Sequence, residues 1–597
     1  MTRRFTISPG VNVREIDLSN VIPAVSTTLA GYAGHFQWGP VNRIISVSNA
    51  LELTQMFGGP RQGSQYAEYN RSFLTAESFL QYGDELLVSR AVEENDPTLA
   101  NAFATSYNSS ATLSGGIYSE KEDVENNPID SGIPFVARYP GELGNSIDVI
   151  ITHRDIHGAF ADGDAENIFN SALINDPETS PWGEVEGVEN DEISIIVIDS
   201  LGNITGRRGE ILEVFENVSL EPLAKTADGA RNYAPKHINE VSRFVFVNEQ
   251  ELTNGLFVKT GNVWSANNFY ADSEGYDVVF ELENGANESS FSPAAIKRAL
   301  QPFYNDETVD ISLIFAQGGS VADVAEQRVI ANALITLAET RRDCIAVLSP
   351  PITGQLTNSS TLDTIKTDEV VDYFRTFNSS SYAVFASTPV YVYNRYIDEF
   401  QWIGSQGHIA GLCVHTDFVA EPWFSPAGLN RGHLRSVTKI ALTPSKANRD
   451  TLYKNRINPI VNFPGQGTLL YGDKTALSRP SALDRINVRR LLIVMQKAIS
   501  TAAKFQLFEL NDEITRTVFV NSVEPYLRDI LSRRGLNAFK VVCDETNNTP
   551  EVIDNNRFVG DIYVQPARSI NYIDLNFIIT RTGVDFAEII ALRTDTE

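Results

Sequence analysis

Cysteine is scarce in this chain of 597 residues. The three present, Cys344, Cys413 and Cys543, are too few and too scattered for a disulfide framework. Such usage fits a protein that folds in a reducing compartment. Long apolar runs are also missing. None approaches the roughly 18 residues that mark a membrane-spanning helix. The amino terminus, MTRRFTISPGVNV, lacks the apolar segment of a signal peptide. The expectation is a protein made in the cytosol, with no membrane insertion. Net positive charge is absent too: the total is −28, which argues against nucleic acid as a partner, because phosphate binding needs clustered Lys and Arg.

Catalytic motifs are equally sparse. There is no G-x-S-x-G, no phosphate-binding P-loop and no H-E-x-x-H. Cys413-Val414-His415, even with His408 added, offers too few ligands at metal spacing, so packing is the expected role. Gly465 and Gly467 lie between two β-rich runs, where a hairpin turn is expected rather than a phosphate cradle. No catalytic, cofactor or metal residues are therefore assigned, and the chain is read as a non-enzyme. The opposing class is an enzyme built on the α/β stretch 311–430, with its pocket at the strand carboxyl ends. An adhesin would need repeats or a carbohydrate-binding aromatic cluster in 93–310, and neither is evident.

What is present in excess is acid, and it is localised. Residues 91–310 hold 39 Asp and Glu against 12 Lys and Arg, which is −27 of the total net charge of −28. Such a block reads as a well-solvated outer surface. A calcium loop would need more than Asp162-Gly163-Asp164, the nearest approach to that motif.

Taken in order, residues 1–23 hold too few apolar side chains to fold alone. They form either a frayed terminus or a strand waiting for a sheet edge. Residues 24–92 read as compact α/β structure, with helices predicted over 47–57 and 69–82 and a strand over 85–92. In 93–310, short β runs (147–152, 193–199, 243–247, 256–260 and 277–282) alternate with Asn/Asp/Gly/Ser turns, predicting one or two mainly-β domains. Residues 311–430 change rhythm: strands over 310–316, 344–349 and 382–393 alternate with helices over 322–341, 368–377 and 404–414. Such alternation implies a parallel, right-handed arrangement. The acidic region is thus expected as an insertion into one discontinuous α/β domain, 24–92 plus 311–440. Trp423 to Gly432 (WFSPAGLNRG) is read first as a core-lining connection and second as a contact surface. Residues 441–597 form a C-terminal α+β unit, with a helical segment after Asn511-Asp512 that is predicted to break at Glu524-Pro525.

Within that unit, 456–508 carries the densest signals. A strand over 457–463, a Pro464–Gly467 turn and a strand over 468–471 precede a helix predicted from Ser481 to about Phe508. Val488, Leu491, Leu492, Met495, Ile499, Ala502 and Phe505 recur at helical spacing as an apolar face. Arg490, Lys497 and Lys504 sit seven apart, drifting only about 20° per step, and are read as a basic stripe on another face.

Ser8-Pro9-Gly10-Val11, Arg14-Glu15-Ile16-Asp17, the WFSPAGLNRG loop and Asn458-Pro459-Ile460 through Tyr471-Gly472 occur in a telling order. Ser481 to Arg490 (SALDRINVRR), Phe508-Glu509 with Asn511-Asp512, and Asp561 to Ala567 (DIYVQPA) follow. Together they resemble the contractile tail sheath proteins of myoviruses, over about 1–92 and 311–597. Related sheaths occur in R-type pyocins, other extracellular injection particles and type VI secretion. The large insertion favours the phage form. The resemblance implies a structural protein that polymerises as stacked hexameric rings around a tail tube. The polymer would then contract to drive the tube through the host envelope. It implies partners in further copies of itself, the tail tube protein, the baseplate and the tail terminator. It also implies a place in the virion tail, after assembly in the host cytoplasm. Family members exchange strands through terminal arms. The candidates here are Val11, Val13 and Ile16, and Ile573, Leu575, Phe577 and Ile579. The Arg490, Lys497 and Lys504 stripe becomes the candidate tube contact.

Overall fold

The computed structural model describes residues 27–571, apart from 108, 115, 157–166, 169–170, 173–174, 227, 268, 270–275 and 277. The seven arm candidates Val11, Val13, Ile16, Ile573, Leu575, Phe577 and Ile579 lie outside the described residues, as does Asp162-Gly163-Asp164. The chain is a mixed α/β protein with several sheets.

The largest sheet has seven strands: β1 (Ala30–His35), β2 (Ile44–Val47), β3 (Leu86–Ala91), β4 (Leu313–Gln317), β5 (Ile345–Leu348), β6 (Ala383–Ala386) and β7 (Ile457–Asn458). Their order is β7-β6-β5-β4-β1-β3-β2. All neighbours are parallel except β2, which runs antiparallel to β3. Strands β1 and β4 pair with Ala30 opposite Leu313, so the first and third parts of the chain share one sheet across the acidic region. Alternate side chains feed two cores. Tyr32 and Phe315 join Phe73, Phe79, Ile409 and Leu412 on one face. Ile314 and Ala346 join Phe303, Leu334, Leu337 and Phe374 on the other. Burial on both faces explains why these strands read as continuous apolar runs.

Residues between β3 and β4 build an antiparallel four-stranded sheet in the order Val279–Glu281, Ile147–His153, Glu192–Asp199, Glu210–Ser219. The last strand escapes the sequence reading because its EILEVFENVS pattern is only half apolar and only three of its ten residues are buried. This region attaches at the carboxyl ends of the central strands. Buried Arg90 at the end of β3 donates to the carbonyls of Phe36, Gly39 and Pro140 at 2.9, 2.9 and 2.8 Å. His35 Nδ1 lies 2.8 Å from Glu288 Oε1. Asp96 accepts from the backbone of Ser289 and Ser290 at 2.7 and 3.1 Å, so the inbound and outbound connections are laced together.

Three predicted boundaries are corrected. The run 382–393 is two strands, β6 and Val390–Asn394, in different sheets, because Pro389 interrupts the ladder. Ser481 caps only the turn Ala482–Asp484, and the helix proper is Ile486–Ala503. The helix Glu513–Ser532 runs through Pro525 unbroken. Pro525 and Asn521 are both exposed, so the carbonyl that loses its donor meets solvent. The Pro464–Gly467 turn forms as expected, with Gly465 and Gly467 at φ +77° and +75°.

Candidate assembly surfaces

Helix α1 (Gln406–Val419) packs against the sheet. Helix α2 (Ile486–Ala503) lies across the amino ends of the strands, opposite the acidic region. Three basic side chains hold it there. Arg489 stacks on the Tyr382 ring at 3.9 Å and donates to Ser381 Oγ, just before β6. Arg490 donates to the carbonyl of Cys413 at 2.9 Å and forks onto both oxygens of Asp417 at 2.7 and 2.6 Å. Burial opposes the Arg490 charge, but Asp417 outweighs it and holds the guanidinium above its ordinary pKa. Lys497 reaches Asp310 Oδ1 and the Ile311 carbonyl, both at 2.6 Å, ahead of β4, with Asp343 at 3.8 Å ahead of β5.

The basic stripe is therefore corrected. Arg490 is buried and ion-paired within the chain, Lys497 is mostly covered, and only Lys504, just past the helix, is exposed. Seven-residue spacing places Arg490 and Lys497 on the helix face that meets the chain's own sheet, while Lys504 lies past the helix end. Asp417 and Asp310 lie 73 and 187 residues away in sequence, so no local pattern could reveal them.

The apolar face of α2 packs as read for Val488, Leu491, Met495 and Ala502, with Leu492 and Ile499 partly buried. Phe505 departs from it. The helix gives way to a tight turn at Lys504–Gln506, and Phe505 swings outward. Phe505, Leu507, Leu510 and Ile514 are 63–77 % exposed and Phe508 is fully so. The sequence reading assigns Phe505 to the buried helix face and passes over the exposure of the other four. The connection is not loose. Asn511 Nδ2 donates to Asn548 Oδ1 and the Arg557 carbonyl at 3.2 and 2.8 Å, and Arg516 donates to Asn511 Oδ1 at 3.1 Å.

Helix α3 (Glu513–Ser532) follows, and then an antiparallel hairpin, β8 (Leu536–Val542) with β9 (Asp561–Pro566). Phe519, Val523, Leu527 and Ile530 of α3 pack on Leu536, Phe539, Val541, Ile562 and Val564. Among the described residues this sheet has two strands, so each has one outer edge without a strand partner. Two strands alone are marginal in water, and the α3 face supplies the missing support. Trp423, from the WFSPAGLNRG loop, inserts into the same cluster and donates from Nε1 to the Arg533 carbonyl at 3.1 Å, while Asn487 donates to the Trp423 carbonyl at 3.2 Å. That loop is a core-lining connection at Trp423, with Leu429 left exposed.

His408 and Cys413 are buried in α1. His408 Nε2 sits 3.1 Å from the Arg435 carbonyl, and burial lowers its pKa to about 4. The His408 and His415 rings both lie 6.3 Å from the Tyr82 ring. Among the described residues, no group of three or more His, Cys, Asp and Glu is placed to hold a metal ion. Within the same residues, no helix is long and apolar enough to cross a membrane.

Comparison with known proteins bears on these surfaces. Residues 292–476 match the family described as phage tail sheath protein central domain, and residues 478–580 match the phage tail sheath C-terminal domain. The tail sheath protein of Vibrio phage KVP40 is 31% identical, covering 98% of this chain and 99% of its own. That of Enterobacteria phage T4 is also 31% identical, with the same coverage. Among solved structures, the contracted sheath complex of the extracellular contractile injection system PVC aligns over 96% of this chain and 98% of its own, at 11% identity and a TM-score of 0.48. The contracted helical sheath of the anti-feeding prophage covers 96% and 99%, at 13% identity and a TM-score of 0.47. On the strength of the full-length sequence relatives, the chain belongs to the phage tail sheath protein family.

Proposed function

We propose that this chain is the repeating subunit of a contractile tail sheath. It polymerises as stacked hexameric rings around a tail tube and contracts to drive that tube through the host envelope. The observation that carries this reading is 31% identity to tail sheath proteins over nearly the whole of both chains. The polymer occupies the virion tail, meets the tail tube, baseplate and tail terminator proteins, and assembles in the host cytoplasm. Its role is structural rather than enzymatic.

The division of labour proposed is a 1–23 strand arm, a core of 24–92 plus 311–440 to which residues 295–303 contribute, an acidic outer region from the rest of 93–310 and an assembly unit 441–597. Its support is polarity: the acidic region attaches at the carboxyl edge of the seven-stranded sheet, and α2 at the amino edge. The acid then faces solvent, and α2, α3 and the β8–β9 hairpin face the tube side. The hairpin's two outer edges are the proposed acceptors for strands from neighbouring copies. The donors would be Val11, Val13 and Ile16 at one end and Ile573, Leu575, Phe577 and Ile579 at the other. Main-chain pairing suits a joint that must survive contraction, because it depends on backbone more than on side-chain shape.

Negative-stain microscopy of the purified chain tests the reading. Long tubes of uniform diameter are expected. A discrete oligomer of fixed size would instead favour an enzyme of the α/β class.

A further inference from the structure

The five exposed apolar side chains at the α2–α3 elbow have a counterpart. At the other end of α2, Phe418 and Val419 close helix α1, each more than half exposed. Asp417, beside them, is the residue that Arg490 grips near the start of α2. The two patches are thus separated by about the length of α2, 18 residues or roughly 27 Å.

We propose that the elbow of one copy, centred on Phe508 and Leu510, seats on Phe418 and Val419 of the next, as a permanent copy-to-copy contact. This rests on the sheath reading above. Size argues for an occupant. At about 150 Å² per large apolar side chain, the elbow presents on the order of 500–600 Å², the upper end of what a monomer leaves open and near the roughly 800 Å² per partner of a specific interface. Shape argues for a knob. Phe508 holds φ at +69°, an uncommon conformation for a bulky residue, and the turn beneath it is pinned through Asn511. Placement argues for a second copy. The two surfaces differ from each other and lie at opposite ends of one helix, so the contact is head-to-tail, the kind that builds rings and helical stacks rather than closed pairs. Chemistry argues against the tube as occupant. A contact released on contraction is better made of exposed, salt-sensitive charge than of a large apolar seal.

Cross-linking of the full-length chain tests this. The native cysteines are buried, so Leu510→Cys with Val419→Cys in one chain introduces the reactive pair. In the assembled polymer, a short bismaleimide should yield a ladder of covalent multimers that either single variant lacks. Phe508→Ser with Leu510→Ser, both on the surface, should keep the thermal midpoint of the monomer and lose sedimentable polymer at least tenfold. A polymer that forms without a ladder would overturn the proposal. So would serine variants that polymerise alone yet no longer coat purified tail tubes, since the tube would then be the occupant. If the unsubstituted chain forms no polymer at all, the sheath reading itself fails, and this inference with it.

Discussion

Replacing Arg490 with Met should unfold the junction between α2 and the sheet far more easily than removing both members of its ion pair. Arg490 and Asp417 are almost wholly inaccessible, joined by two bonds of 2.7 and 2.6 Å. Removing the cation alone leaves the Asp417 carboxylate in a site with little water. The cost of breaking such a buried pair from one side is about 3–5 kcal/mol. For a cooperative unit of 150–250 residues, that lowers the midpoint by on the order of 10 °C. Asp417→Leu together with Arg490→Met should recover most of the loss, because two apolar side chains ask nothing of the lost charges. The assay is a double-mutant cycle by thermal and chemical unfolding of the soluble chain. Strong coupling of the two sites, at least about 2 kcal/mol, is expected. Additive losses would refute the reasoning, since Arg490 would then contribute only by packing its stem.

A charge reversal at exposed Lys504 should leave monomer stability within about 0.5 kcal/mol, whereas Lys497→Glu should destabilise by placing a carboxylate against Asp310 and Asp343; unfolding midpoints check both. His408 is buried with its pKa lowered from 6.5 to about 4. Its unfolded form therefore takes up a proton before the folded form does. Stability should be full above pH 6.5 and fall by up to about 3 kcal/mol as pH drops to 4, and His408→Gln should flatten that slope in urea titrations across the range. Deleting residues 1–18 should leave a folded monomer that no longer forms tubes, as seen by circular dichroism and negative stain. Replacing residues 101–287 with a short linker, which keeps residues 295–303 on the sheet, should spare polymerisation, scored by sedimentation.

Much of the central sheet is legible in the sequence because its signals are local. Strands buried on both faces carry unbroken apolar runs, and Gly465 and Gly467 announce their turn directly. What fails to read is set by distant residues. Arg490 and Lys497 look like a surface stripe until Asp417 and Asp310 arrive from elsewhere in the chain. Phe505 keeps helical spacing with Met495 and Ala502, yet the helix ends at Ala503 and its side chain turns to solvent. The Glu210–Ser219 strand is stabilised by pairing with Glu192–Asp199 rather than by its own composition. Pro525 marks a break that an exposed helix face does not need to make. The resemblance to tail sheath proteins survives these corrections, since it rests on motifs spread across the chain rather than on any one face.

A helical reconstruction of the assembled polymer tests the central claim most directly. The account predicts that density for 93–310 projects outward and that the α2, α3 and β8–β9 unit lines the lumen, with additional strands flanking the hairpin. A lumen lined by the acidic region, or hairpins with bare edges in the polymer, would contradict it.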